Sequence, residues 1–95
     1  MIASIPIRGP YRPYASLPEE VEITVSKNHA IRFGDVDIDV YIEAPSVDGF
    51  KTLRINLPTM NVEYVSGMSD EEVLQYKKYI TRHYQGLVDK SKEIV

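Results

Sequence analysis

The densest run of side chains able to do chemistry is Asp35-Val36-Asp37-Ile38-Asp39. Three carboxylates at alternate positions suggest a calcium loop, which needs glycine at its sixth place and a carboxylate at its twelfth. Counted from Asp35, those places hold Val40 and Ser46, and the reading fails. On a strand, side chains alternate between faces, so Asp37, Asp39 and Glu43 would share one face, near neighbours about 7 Å apart. That spacing suits a weakly held Mg²⁺ or Ca²⁺, a basic partner, or a solvated acidic surface partly offset by Arg54 on the next strand. A small metal-dependent enzyme using Asp37 or Asp39 is the catalytic version of the same idea.

Other catalytic chemistry is sparse. His29 and His83 are the two histidines, and a structural or surface role suits each. No nucleophile, base and acid fall into a defensible order, and no carboxylate pair is spaced for acid–base work. Cysteine is absent, which excludes disulfides, thiolate zinc sites and thiol nucleophiles. The five glycines stand apart, so no phosphate-cradling loop is expected. The sequence points to no catalytic residue, no metal site and no cofactor.

Binding chemistry is better represented. Residues 1–18 hold four of the six prolines, with Arg8, Tyr11, Arg12 and Tyr14 among them. Proline lacks an amide donor and biases its predecessor to extended geometry, so this stretch is expected to be an extended, basic arm. It either lies along the domain or offers its guanidinium and phenol groups to a partner. Charge is divided along the chain: +2 over residues 1–18, −6 over 19–48 and +1 over 49–95. The arm together with the Asp37, Asp39 and Glu43 face therefore forms the expected partner-binding set. Lys77, Lys78 and Arg82, joined to the arm's arginines and tyrosines, give a nucleic-acid-binding alternative. A net charge of −3 argues against a strong electrostatic footprint for it.

These residues must be positioned by a small scaffold. Ninety-five residues, 43% hydrophobic and 26% charged, fit a single folded domain spanning 19–95. No stretch approaches the ~20 apolar residues of a spanning helix. The N-terminus lacks a signal-peptide core, so a cytoplasmic setting is expected. Val21, Ile23 and Val25 alternate with polar residues, as do His29, Ile31 and Phe33 after a turn at Lys27-Asn28. A second turn at Gly34-Asp35 leads to Val36, Ile38, Val40 and Ile42, the cleanest strand pattern. A loop over Ala44 to Gly49 precedes the alternating Leu53, Ile55 and Leu57, which Pro58 stops, and Asn61 to Val65 has the length of a short fifth strand.

Ser69-Asp70-Glu71-Glu72 is a capping box, with Met68 and Val73 placed as a hydrophobic staple. Beyond it, Val73, Tyr76, Ile80, Tyr84, Leu87, Val88 and Ile94 form one apolar stripe of a single long helix, with Lys78, Arg82 and Asp89 opposite. Gly86 falls on the wet side and is expected to fray or bend the last turns. The expected fold is α+β: an antiparallel meander of four or five strands with one C-terminal amphipathic helix across it.

Leu53-Arg54-Ile55-Asn56-Leu57-Pro58, followed by Val65-Ser66-Gly67-Met68-Ser69 and the helix, resembles a family of short bacterial domain-of-unknown-function proteins encoded beside toxin–antitoxin-like partners. The resemblance spans about residues 50–90. The family's Pro-Pro-His-x-His run is missing here, with only His29 nearby, so no functional residue transfers. What the resemblance implies is a small bacterial or phage regulatory protein. Combined with the residues, the leading expectation is a non-enzymatic protein acting through a protein partner, with homo-oligomer formation through an edge strand also open.

Overall fold

The structure is a computed structural model that describes residues 11–32 and 34–93. Five antiparallel strands follow one another in space as in sequence: β1 (Tyr11–Leu17), β2 (Val21–Ser26), β3 (Ile38–Ser46), β4 (Gly49–Leu57) and β5 (Val62–Ser66). A 3-10 turn over Pro18–Glu20 joins β1 to β2, and two α-helices complete the described fold, α1 (Asp70–Arg82) and α2 (Tyr84–Lys92). The α+β meander expected from the alternation is present, with five strands.

Register decides the faces. Ile23 lies opposite Ile42, which lies opposite Leu53; Val25, Val40 and Ile55 make the next row. These residues, with Ile38 and Leu57, are completely buried beneath Ile80, Leu87 and Val88 of the helices. Burying a Val, Leu or Ile side chain is worth roughly 1.5–3 kcal/mol, so this layer is the main source of stability.

The capping box is fully formed: Glu72 N donates to Ser69 Oγ at 3.2 Å, and Ser69 N to Glu72 Oε1 at 3.1 Å. Met68 and Val73 both pack against the core. Glu72 also accepts from Lys51 Nζ at 2.7 Å. The Lys51 ammonium, then the Ser69 amide, hold the Glu72 carboxyl below its ordinary range, and the same bond raises Lys51.

Four expectations are corrected. Residues 11–17, assigned to an extended arm, form the edge strand β1, where Pro13 is tolerated because an edge has no second neighbour to receive an amide; residues 1–10, with Arg8, lie outside the described residues. The His29–Ile31 segment is no strand but part of a loop over the described residues 27–32 and 34–37, and Ile31 is fully exposed; Phe33 lies outside the described residues. Asn28 closes that loop, its Oδ1 accepting from Ala30 N and Asp37 N and its Nδ2 donating to Asp35 O. The span 44–49 is no loop: β3 and β4 continue to Ser46 and Gly49 around a two-residue turn, with Gly49 at φ 127°.

The fourth correction concerns the helix, which divides at His83 rather than bending at Gly86. Tyr14, the extra residue of a β-bulge between Pro13 and Ala15, lies on the helix side, where its hydroxyl is 3.0 Å from His83 Nδ1. Tyr79 stacks on that imidazole with ring centroids 4.1 Å apart, and burial pushes the Tyr79 phenol up. Gly86 is required beside this contact, because a Cβ there would sit 2.7 Å from the Tyr14 hydroxyl oxygen. Gly86→Ala should therefore destabilise by about 1–2 kcal/mol, overpacking outweighing the helix-propensity gain of roughly 1 kcal/mol. In a Tyr14→Phe background the sign should reverse, which urea melts of the four proteins will read.

Candidate functional site

The polar face of the sheet, opposite the helices, carries three cross-strand rows. Tyr11, Ser26, Asp39 and Asn56 form one; Thr24, Tyr41, Arg54 and Tyr64 the next; Glu22, Glu43, Thr52 and Ser66 the third. This face is not a solvated acidic surface. Ser26 and Asp39 are completely buried, and Thr52, Arg54 and Asn56 nearly so.

Asn56 organises the Asp37 and Asp39 end of this face. Its Nδ2 donates to Asp37 Oδ1 at 2.8 Å, to Asp39 Oδ1 at 3.3 Å and to Ile38 O at 3.3 Å, while its Oδ1 accepts from Thr59 Oγ1 at 2.8 Å. Asp39 N donates to Ser26 Oγ. The two aspartates thus serve strand register and the β4–β5 connection. Glu43 stands two rows away, half-buried beside Tyr41, and with burial as the larger cause it raises the Tyr41 phenol. Among the described residues, no three His, Asp or Glu side chains are grouped to hold a metal ion.

The expected partner-binding set is therefore split. Tyr11 lies on the polar face with its ring 6.0 Å from that of Tyr41. Arg12 is exposed on the edge strand. Tyr14 is turned to the helices, and Asp37 and Asp39 are engaged with Asn56.

Lys77, Lys78 and Arg82 are the residues that come together. They line one open groove of about 490 Å³ with Met60, Leu74 and Thr81. Helical periodicity explains the grouping: positions 74, 77, 78, 81 and 82 recur on one flank of α1. Met60 is placed against that flank by the β4–β5 connection, which Met60 N closes onto Asn56 O at 2.8 Å with Met60 at φ 63°. Thr81 Oγ1 is turned back to Lys77 O. Among the described residues the lining holds three cations and no acid around an apolar floor, in which Leu74 remains 51% exposed.

Sequence reading found the three cations but missed Met60, Leu74 and Thr81. The available signal was Leu74 itself, a large apolar residue of α1 standing outside the core stripe. Charge also changes along α1, from Asp70, Glu71 and Glu72 in its first turn to Lys77, Lys78 and Arg82 beyond. Comparison with protein-family models, curated proteins and solved structures returned no match to this chain.

Proposed function

We propose that this is a non-enzymatic interaction protein that captures an acidic segment of a protein partner in the α1 groove. The observation carrying this reading is the convergence of Lys77, Lys78 and Arg82 around the exposed Leu74 and Met60. Cations around an apolar floor match a peptide that alternates carboxylates with aliphatic side chains. The carboxylates meet the rim and steer encounter, while the aliphatic groups displace water from the floor. A nucleic acid is favoured less, because among the described residues no aromatic side chain lines the groove to stack on a base. A regulatory role in a bacterial or phage setting is the part of the proposal resting on the resemblance of residues 50–90.

Fluorescence anisotropy with a labelled Glu/Leu peptide tests the reading. Lys78→Glu combined with Arg82→Glu replaces two exposed groove cations and should weaken binding at least about tenfold with the melting curve unchanged. Added salt should weaken the wild-type complex by screening. Equal binding by the double variant would overturn the groove assignment. Displacement of the peptide by an equally charged single-stranded oligonucleotide at lower concentration would overturn the choice of partner.

A further inference from the structure

Resting on the groove reading above, we infer that the occupant of the α1 groove is a second copy of this chain, which inserts its β3–β4 turn. The turn is built as a knob. Pairing of β3 with β2 ends at Glu43, and pairing of β4 with β5 ends at Thr52. Beyond these residues the β3–β4 ladder runs on alone through Ala44–Lys51, Pro45–Phe50 and Ser46–Gly49. Val47 at the tip is fully exposed and Phe50 is 58% exposed. Asp48 is exposed between them, with its amide donating to Ser46 Oγ at 3.3 Å. A carboxylate flanked by two apolar side chains is the alternation that the groove is built to take. Apolar groups left at a projecting tip mark a contact surface.

The chain cannot fill its own groove with this turn. Turn and groove lie at opposite ends of β4, whose nine residues hold the tip about 25–30 Å from Met60 at about 3.3 Å per residue. Nor do the sheet edges invite pairing between copies. β1 carries Pro13 and a bulge, and β5 has a bulge at Glu63, since Arg54 pairs with Tyr64 but Ile55 with Val62. Charge favours contact between the two ends instead. The turn end also carries Glu19, Glu20, Asp70 and Glu71, all exposed, while Lys51 there is engaged by Glu72. The groove end offers Lys77, Lys78 and Arg82. Opposite charges meet when the turn of one copy enters the groove of another, and like charges meet when two turn ends approach. One knob covers little area, which places the contact in the weak, transient class. The groove therefore stands open in dilute solution and fills as chain concentration rises.

Sedimentation over a concentration series tests the contact. The weight-average mass of the wild type should equal one chain at about 10 µM and exceed it at about 0.5 mM, and excess Glu/Leu peptide should return it to one chain. Val47→Ser with Asp48→Lys disables the turn, and Lys78→Glu with Arg82→Glu disables the groove. Each double variant should keep the wild-type circular dichroism and the mass of one chain at the higher concentration. Mixed in equal amounts they should associate again, because the contact joins unlike surfaces and each protein retains the one the other lacks. In dilute solution the turn variant should bind the Glu/Leu peptide as the wild type does. A wild type of one-chain mass throughout, a turn variant that still associates, or a mixture that stays at one chain would each overturn the proposal. Where the single-chain wild type still binds the peptide, the occupant alone is wrong; where it binds none, the groove reading falls with it.

Discussion

Ile80→Ala and Leu87→Ala should each cost about 2–5 kcal/mol, the largest losses expected from single substitutions in this chain. Both side chains are completely buried, and they lie over the sheet layer of Ile23, Val25, Val40, Ile42, Leu53 and Ile55. Truncation removes the transfer free energy of three methyl or methylene groups and leaves a cavity that a short helix held at His83 cannot fully close. Domains of this size have about 5–15 kcal/mol in total, so either change removes a large share. Leu74→Ala is the internal contrast. Leu74 is half exposed, its loss should shift stability by no more than about 0.5 kcal/mol, and it should instead weaken peptide binding. Urea melts showing equal, small losses at positions 74, 80 and 87 would contradict the assignment of core and groove.

Asn56→Ala should rank next, at about 2–4 kcal/mol, although it removes no apolar contact. The amide donates to Asp37 and Asp39 and accepts from Thr59, and bonds to charged groups are worth about 1.5–3 kcal/mol each at the upper end. The carboxylate it serves at Asp39 is completely buried, so losing a donor there carries a desolvation cost that a surface site would not. Asn56→Asp, nearly identical in shape, should be worse still, because it replaces the donor by a third carboxylate. Thr59→Val tests the same network from its far side and should cost about 1 kcal/mol. Chemical denaturation of the three variants reads the order, and an Asn56→Asp protein as stable as Asn56→Ala would contradict it.

The parts of this fold legible in the sequence are those where a local signal has one physical meaning. The Ile38–Ile42 alternation and the Ser69–Glu72 capping box belong to the elements expected of them, and Ile80, Leu87 and Val88 are buried as expected, though on two helices rather than one. Signals with two meanings misled. His29, Ile31 and Phe33 alternate like a strand, yet three positions are too few to outweigh Asn28, whose side chain satisfies the backbone that a ladder would otherwise pair. Alternation assigned Asp39 to the polar face correctly, but period two says which face a residue takes and not whether that face is wet. The candidate groove was half legible. Its cations follow helical spacing, whereas Met60, on a connection well before α1 in the chain, joins them by a contact no local pattern encodes.

In the proposed reading the α1 groove is the working surface, and the sheet with its buried polar rows is the scaffold holding it. The most direct test follows backbone amide shifts while the Glu/Leu peptide is titrated into the isotopically labelled protein. Saturable shifts confined to Met60, Leu74, Lys77, Lys78, Thr81, Arg82 and their immediate neighbours are the expected result. Shifts centred on Tyr11, Arg12 and the β1 edge, or none at millimolar peptide, would contradict it.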